Sequence, residues 1–373
     1  MKRAALLALS TALTLSLGMG AATLASAAAP AKAAAKASTY VAPRNAFGQP
    51  DLSGNWTNAT LTPMIRNPKY GTQLIMPPDA VKKEEGEMAK EFAEGNKPTD
   101  PNAGVQKGVD KNVRPEFAAA GGDVGGYNIG WLDPGSQVMR VHGEPRTSLI
   151  TTPNGQFPPR KPGAGGGGNQ RYGGMGSFDS YETRSLGERC IMGFGRNAGP
   201  PMFPNGFYNN NYQFIQTPNY VAIDVEMVHD LRIIRLNSTH RTDGVRPWMG
   251  DSIGHWEGDT LVVETTNFPE KMNFAGSWKN LKVTERFTRV GPTRMLYQFT
   301  VDDPDTWDKP WGGEYEFGAL KGQLYEYACH EGNYALPGML GGARRAEAEA
   351  AAKTAPVAPA ATAPAKATKG GAH

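Results

Sequence analysis

This chain of 373 residues lacks a hydrophobic segment long enough to cross a membrane. Its longest apolar run covers residues 4–17, short of the roughly 20 residues that a spanning helix needs. No stop-transfer segment follows, so the sequence predicts no membrane span. Clustered positive charge is also lacking, because the formal net charge is +3 and the Lys and Arg residues are scattered. A nucleic-acid partner is therefore not expected.

The N-terminus has instead the pattern of a secretory signal peptide. Lys2 and Arg3 form a basic start, the apolar run follows, and small residues lead to an A-x-A site at residues 25–27. We therefore predict a cleaved signal peptide over residues 1–27 and a periplasmic or secreted location for the mature chain.

Cysteine is scarce, since only Cys190 and Cys329 occur. Neither lies near the predicted cleavage point, so no lipid-modified cysteine is expected there. In an oxidising compartment two cysteines predict one disulfide, closing a loop of about 140 residues and stabilising the fold by on the order of 4 kcal/mol. The competing interpretation is a nucleophilic thiolate at Cys329, beside His330.

Common metal and phosphate motifs are lacking as well. No two histidines show H-x-x-x-H spacing and no carboxylate cluster has the spacing of a metal loop, so neither a metal nor another cofactor is predicted. A metal site assembled from distant strands stays open at this stage. The Gly-rich insertion at residues 163–177 lacks the Gly-Lys-Ser/Thr ending of a phosphate-binding loop. It predicts a flexible surface segment.

Composition divides the chain into two tails and one body. Residues 28–44 are predicted to be a disordered linker. The Ala/Pro/Lys-rich tail at residues 341–373 is expected to be partly helical and then disordered, because such segments bury too little apolar surface to fold. Residues 45–340 are predicted to form a single mainly-β domain.

Within that body strand patterns outnumber helical ones. The chain has 46 glycines and 29 prolines, and one short helix is predicted over residues 79–94, with Asp79 as its N-cap. Apolar and polar residues alternate in several runs, which is typical of antiparallel strands with one buried face. These runs are residues 212–215, 220–228, 231–236, 260–265, 281–288 and 295–301. The pattern favours an antiparallel, calycin- or lipocalin-like barrel with long loops, and a β-sandwich is the second choice.

Two resemblances add to this interpretation. Gly54-Asn55-Trp56 resembles the Gly-x-Trp opening of lipocalin-like barrels, in which the Trp plugs the closed end. Longer stretches, of which GDTLVVETTNF and YEYACHEGNY are the most specific, resemble a family of exported bacterial proteins from environmental proteobacteria and acidobacteria. These stretches are residues 50–56, 146–150, 188–190, 258–268 and 325–334. The family has no established activity, so the resemblance implies export and one continuous unit but no mechanism.

One apparent catalytic motif lacks the flanking strand and helix that its function requires. Residues 250–254, Gly-Asp-Ser-Ile-Gly, fit the G-x-S-x-G nucleophile elbow, which needs a buried strand before it and a helix after it. Here a polar, Pro-containing stretch precedes the motif and a strand pattern follows it. We therefore interpret Asp251 and Ser252 as a turn.

The segment Tyr325 to Tyr334 is the best catalytic candidate. Strand alternation predicts Tyr325 and Cys329 on one face and His330 on the other. His330 is then a candidate general base, with Glu331 fixing its tautomer and Tyr325 in support. The alternative is that His330 and Asn333 only satisfy backbone groups in a tight turn.

Two further groups are candidates for ligand binding. Glu226, His229, Asp230 and Arg232 form a polar cluster between apolar strands, which indicates either a salt-bridged strand end or a pocket. Arg232 is expected to pair with Asp230 or Glu226. Residues 202–212 are rich in aromatic and amide side chains, which suit stacking and hydrogen bonding to a ligand, or packing as a plug on the barrel.

The sequence thus favours a barrel that binds a small, partly apolar or aromatic molecule. The predicted ligand-binding residues are Phe203, Phe207, Tyr208, Asn210, Tyr212, Glu226, His229, Arg232 and Asn333. The alternative is a cofactor-free periplasmic enzyme of the hydrolase, hydratase or isomerase type with His330 as general base. A structural or interaction protein is the third hypothesis.

Overall fold

Alternating strands in the second half of the chain close into a barrel, as seen in a computed structural model. The structure describes residues 40–96, 132–164, 178–193, 195–206 and 209–354. The predicted signal peptide, residues 165–177 of the Gly-rich insertion, Phe207, Tyr208 and the end of the tail lie outside these ranges. Among the described residues, no helix has the length and apolarity that crossing a bilayer requires.

The described part of the chain holds eleven strands and two α-helices. The strands are β1 (Gly54–Thr57), β2 (Arg140–Val141), β3 (Glu144–Pro145), β4 (Asn211–Gln216), β5 (Tyr220–Val225), β6 (Asp230–Leu236), β7 (Asp251–Glu257), β8 (Thr260–Thr266), β9 (Lys282–Gly291), β10 (Arg294–Asp302) and β11 (Trp311–Ala319). The helices are α1 (Pro78–Gly95) and α2 (Ala335–Thr354).

Nine of the strands form the barrel, in the order β1-β11-β10-β9-β8-β7-β6-β5-β4, and β1 closes it by pairing with β4 and β11. All neighbours are antiparallel except β6 and β7, which run parallel. A closed ring with an odd number of strands needs at least one parallel pair, and here residues 237–250 make the crossover between them. Strands β2 and β3 form a separate two-stranded sheet.

The prediction of a mainly antiparallel β-barrel is confirmed, and Gly54-Asn55-Trp56 lies on its first strand. Trp56 is 2% exposed, its Nε1 donates to the Leu52 carbonyl at 2.9 Å, and the guanidinium of Arg289 lies 5.6 Å from its ring centroid. Trp56 therefore packs in the barrel core, and its role as the plug of a closed end stays a prediction.

Side chains fill the barrel interior. The register places Phe287, Tyr297 and Tyr315 side by side on β9, β10 and β11. The ring centroids of Tyr297 lie 5.0 Å from Phe287 and 4.8 Å from Tyr315, and all three residues are fully buried. Phe214 on β4 packs against Phe287 from across the barrel at 5.5 Å. Aromatic side chains thus occupy the central space that larger barrels leave for a ligand.

Several local predictions need correction. Asp251 and Ser252 begin strand β7 rather than forming a turn. The segment 325–334 is irregular, so it has no strand faces; every barrel strand already has two neighbours, which leaves no edge for it to join. Helix α1 begins at Pro78 after Pro77, so Asp79 lies in its first turn instead of capping it.

Candidate functional site

A small pocket with room for about one water molecule lies at the end of the barrel where β5 ends and β6 begins. It lies between the irregular segment before β4, the start of β6 and the loop between β8 and β9. The residues around it are Met192, Gly193, Gly195, Arg196, Asn197, Ala198, Gly199, Asp230 and Met272. The lining thus combines one cation, one carboxyl group, one amide and apolar side chains.

Asp230 is the acidic group of the pocket. It is the first residue of β6, it is 6% exposed, and its Oδ2 accepts a hydrogen bond from the Gly193 backbone N–H at 2.8 Å. Burial raises the pKa of Asp230 to about 7, although the Gly193 N–H and the neighbouring His229 oppose the shift. A carboxyl group with a pKa near 7 exchanges its proton under ordinary conditions, which is typical of functional sites.

A glycine is required beside this carboxyl group. A Cβ at Gly193 would lie 2.9 Å from Cγ of Met227 and 3.1 Å from Oδ2 of Asp230. Any side chain there would push against the carboxylate and lengthen its hydrogen bond. The glycine therefore lets the backbone approach Asp230 closely enough to donate.

Arg196 is the cationic group of the pocket. Its Nη2 donates to the carbonyls of Met272 and Asn273, and its Nη1 donates to the carbonyl of Pro200 at 3.4 Å. The guanidinium also lies 4.2 Å from the ring centroid of Phe274. Burial lowers the pKa of Arg196 to about 9, because none of these partners carries a negative charge.

Asn197 links the pocket to the segment just before β4. It is 2% exposed, and its Nδ2 donates to the Asn209 carbonyl at 3.1 Å and to Oδ1 of Asn210 at 3.2 Å. Its own Oδ1 is buried without a hydrogen-bond partner among the described residues. The pocket wall therefore contains an unsatisfied acceptor beside Arg196.

The backbone just before Asp230 is strained. Val228 and His229 have φ values of 58° and 47°, and Val228 is buried. A left-handed conformation is costly for a β-branched residue, at on the order of 1–3 kcal/mol. This double left-handed turn replaces the last residues of the strand predicted to reach residue 228, and it turns the chain so that Asp230 begins the next strand at the pocket.

Arg232 does not pair as predicted. Its guanidinium donates to both carboxylate oxygens of Glu285 on β9, at 3.0 Å for the Nη1 to Oε1 bond. It also donates from Nε to Ser252 Oγ at 3.1 Å and from Nη2 to Thr265 Oγ1 at 3.0 Å. The expected partners Asp230 and Glu226 make other contacts, so the polar cluster splits into a pocket residue and a buried ion pair.

Glu226 and His229, the other members of that cluster, lie beside the segment 320–334. Glu226 accepts hydrogen bonds from the side chain of Asn209 at 2.7 Å and from the Tyr325 backbone N–H at 3.2 Å. Nδ1 of His229 lies 3.2 Å from the Tyr327 carbonyl oxygen, and the side chain is exposed. Both therefore contact this segment rather than line the pocket.

The predicted catalytic residues lie outside the pocket. His330 and Glu331 are exposed, and Tyr325 is 79% exposed. Asn333 donates from Nδ2 towards Sγ of Cys190 at 3.3 Å. The structure thus brings Asn333 to the disulfide and leaves the other three in solvent, where their proposed role stays a prediction.

The disulfide between Cys190 and Cys329 is confirmed, and the two cysteines are 139 positions apart in sequence. It joins the segment just before the pocket, which begins at Met192, to the segment 320–334. The thiolate interpretation of Cys329 is therefore wrong.

The aromatic segment 202–212 packs on the barrel over the part that the structure describes. Phe203, Asn210 and Tyr212 are buried. Phe203 packs 6.0 Å from Phe274 and 5.1 Å from Phe299, between ring centroids. The Met202 backbone N–H donates to the Tyr297 hydroxyl at 2.9 Å, which fixes the start of the segment against the barrel core. Phe207 and Tyr208 lie outside the described residues.

Sequence reasoning missed Arg196, Asn197 and Met272. The available signal is weak: Arg196 lies among Gly193, Gly195 and Gly199, a density of glycine that marks close backbone approach. The sequence analysis included Asp230 in a polar cluster but did not name it among the ligand-binding residues. Among the described residues no group of three His, Cys, Asp or Glu side chains is arranged to hold a metal ion.

Comparison with known proteins gives no relative on which to base a function. No family model, no curated protein and no solved structure matches the chain. The resemblance to a family of exported proteins therefore stays a prediction, and the function has to be argued from the pocket.

Proposed function

We propose that this protein binds a small, partly apolar organic molecule in the pocket formed by residues 192–199, Asp230 and Met272. The observation that carries the proposal is Arg196, a partly buried cation that lines a concave site and whose partners among the described residues are carbonyls and an aromatic ring. Small-molecule sites share this arrangement, in which a few polar groups converge on a concave and otherwise apolar surface.

The size of the pocket limits the ligand. Pockets that enclose drug-sized molecules have volumes of roughly 300–1,000 Å³. The pocket here is far smaller and has room for about one water-sized group. It therefore receives only one end of a ligand, with Met192, Ala198 and Met272 on its apolar side. Methionine side chains adapt their shape to different ligands, which suits a binding role.

The barrel interior does not support the predicted ligand cavity. Tyr297 and Phe287 fill it, and Arg232 with Glu285 occupies its polar centre. The binding role is therefore assigned to the barrel end instead. The enzyme alternative based on His330 gains no support, because that side chain is exposed and does not line the pocket.

Methyl NMR tests the proposal directly. In protein labelled with ¹³C at the methionine methyl groups, benzyl alcohol and benzoate are titrated to millimolar concentration. We expect at least one probe to shift the Met192 and Met272 resonances. Met295 is fully buried inside the barrel and serves as the internal reference, which should not move.

Two variants, each with one alanine replaced by leucine, provide the control. Ala198→Leu fills the pocket and should abolish the shifts, whereas Ala222→Leu on the outer face of β5 should preserve them. Absence of any probe-dependent shift at Met192 and Met272 in the unmodified protein contradicts the proposal, whatever the variants do.

A further inference from the structure

The outer surface of the barrel is apolar over three neighbouring strands, β4, β5 and β6. Antiparallel strands with one buried face normally present polar side chains to water, and β9 does so with Lys282, Thr284 and Arg286. On the three strands the outward residues are mostly apolar and, except for one alanine, 44–51% exposed. We call five of them the outer patch: Ile215, Tyr220, Ala222, Leu231 and Ile233.

Strand β6 shows the deviation most clearly. Its inward side chains include Asp230 and Arg232, which are buried, whereas Leu231 and Ile233 point outward. The inward charges are accounted for by the pocket and by the ion pair with Glu285. Apolar residues scattered singly on a surface need no explanation, but a contiguous group with polar residues around it is typical of an interaction site.

The strand register makes the outer patch contiguous. Ala222 pairs with Ile215 on one side and with Ile233 on the other, so the three side chains form a row across the strands. Tyr220 and Leu231 extend the row in opposite directions along β5 and β6. Because Ala222 is small and its two neighbours are large, the row is lowest at its centre, where a side chain from a facing surface fits.

One acidic and one basic residue lie at opposite ends of the outer patch. Asp224 pairs with Leu231 at one end, and Arg235 pairs with Tyr220 at the other. Arg235 keeps an ion pair with Asp251 at 2.8 Å. Asp224 has His229 as a charged neighbour and forms no salt bridge within the part of the chain that the structure describes.

This distribution of charge is self-complementary. A two-fold axis that runs across the strands places each end of one patch over the opposite end of the other. Asp224 of one copy then faces Arg235 of the second copy, and the same contact occurs twice. The large side chains of Ile215 and Ile233 meet the second copy along the central row. A second copy of this chain thus satisfies both the apolar centre and the two charged ends.

The size of the outer patch indicates how strong such a dimer is. Three strands about 4.8 Å apart and five residues of about 3.4 Å each cover roughly 240 Å². A standard interface buries about 800 Å² per partner, with an apolar core and a polar rim. The patch is large enough for the core, and the residues around it form the rim. We therefore expect a weak dimer with a dissociation constant in the micromolar range.

We propose that the outer face of β4, β5 and β6 binds a second copy of this chain. The dimer is two-fold symmetric, the two outer patches face each other, and Asp224 of each copy lies against Arg235 of the other. The outward side chains of these strands do not line the pocket beside Asp230. Dimer formation is therefore independent of the proposed ligand binding.

Sedimentation velocity over about 1–300 µM protein tests the proposal. The sedimentation coefficient of the unmodified protein should rise from the monomer value to the dimer value with concentration. Ile233→Lys places a charge at the centre of the interface. Because each substitution occurs twice in a symmetric dimer, the dissociation constant should rise at least about a hundredfold. Thr284→Lys, on the polar outer face of β9, adds the same charge and should leave the dissociation constant within about threefold.

The orientation of the two copies is tested separately. Asp224→Asn removes the acidic end of the patch without changing its shape. It should raise the dissociation constant about three- to tenfold at about 50 mM salt, because two exposed ion pairs are lost. At about 500 mM salt the difference from the unmodified protein should nearly vanish, since salt screens exposed charges.

Each outcome decides. A monomer at every concentration overturns the proposal and leaves the proposed ligand binding untouched. A dimer that Ile233→Lys leaves intact uses another surface, and this also overturns the proposal. If Ile233→Lys does not fold, Ile215→Lys on β4 repeats the test, because that side chain is likewise exposed. A dimer that is unchanged in Asp224→Asn at low salt contradicts the contact between Asp224 and Arg235.

Discussion

Arg232 and Glu285 face each other in the middle of the barrel interior, where their side chains are 2% and 0% exposed. Tyr297 donates to the same carboxylate from its hydroxyl at 2.8 Å, and Ser252 and Thr265 accept from the guanidinium. Each charge is thus satisfied by the other and by neutral groups. Burial of two charges is costly, and geometry this complete is what compensates the cost.

Breaking this pair is expected to destabilise the protein strongly. Glu285→Gln leaves Arg232 as an uncompensated buried charge, so the free energy of unfolding should fall by about 3–5 kcal/mol, as measured by urea denaturation. The double variant Arg232→Met/Glu285→Leu removes both charges and should recover most of the loss.

A neighbouring exposed pair provides the control. Arg286, the next residue on β9, contacts Glu257 at 2.7 Å, with side chains 38% and 49% exposed. Arg286→Gln should cost no more than about 1 kcal/mol. An equal loss of unfolding free energy in Glu285→Gln and Arg286→Gln would contradict the burial of the Arg232–Glu285 pair.

Asp251 at the start of β7 is expected to hold the crossover that joins β6 to β7. It accepts hydrogen bonds from Arg235 at 2.8 Å, from the Arg241 backbone N–H at 2.8 Å and from Nδ1 of His240 at 3.0 Å. Burial tends to raise its pKa, but these hydrogen bonds outweigh burial and lower it. Asp251→Asn should cost about 2 kcal/mol at pH 7.

The pH dependence of that cost provides the check. Because the pKa of Asp251 is lowered in the folded state, its stabilising effect is present above the unfolded value of about 4 and is lost as the pH falls through the folded value. The difference between variant and unmodified protein should therefore shrink on acidification below about pH 4. A constant difference down to pH 2 would contradict this account.

The disulfide should contribute a large part of the stability. It links residues 139 apart in sequence. In the chain-entropy account a loop of this length stabilises by about 4–5 kcal/mol. The variant Cys190→Ser/Cys329→Ser should lose that amount in urea denaturation. It should also be cleaved faster by trypsin at Lys321 and Arg189, which flank the joined segments. Unchanged stability and cleavage would show that the fold does not depend on the bridge.

Much of the fold could be predicted from the sequence, because strand alternation is a local property. The runs at residues 220–228, 260–265 and 295–301 correspond to β5, β8 and β10, although β5 ends at Val225. Strand β11 was missed because Gly312, Gly313 and Gly318 interrupt its pattern. A Cβ at Gly313 would lie 2.3 Å from the Leu149 carbonyl oxygen, so glycine is required there by a contact that no local pattern contains.

The candidate site was less predictable, because it depends on contacts between distant segments. Arg232 and its partner Glu285 are 53 residues apart, whereas the nearer Asp230 and Glu226 were expected to pair with it. Arg196 lies in an irregular glycine-rich segment, where neither helix nor strand periodicity indicates which way a side chain points. Only the closed barrel brings that segment against the start of β6.

The raised pKa of Asp230 makes a further prediction about stability. Burial is the main cause of the shift from 3.8 to about 7, so the folded protein binds this proton more tightly than the unfolded chain does. The stabilisation that this proton provides is therefore fully present below the pKa of Asp230 in the unfolded chain. It is lost as the pH rises to the pKa of Asp230 in the folded protein. Between about pH 4 and 7 the free energy of unfolding should fall, by at most about 4 kcal/mol from this group.

Asp230→Asn should remove that slope, because the amide stays neutral at every pH. Above pH 7 the variant should be more stable than the unmodified protein, since it no longer places an ionised carboxylate beside Met227. Asp243→Asn is the matched control: Asp243 is exposed and its pKa is lowered by its hydrogen bond from Arg241, so it is ionised in both states across this range. The free energy of unfolding of all three proteins is measured by urea denaturation at intervals of half a pH unit. Parallel curves for the unmodified protein and Asp230→Asn would show that Asp230 ionises normally and would contradict this prediction.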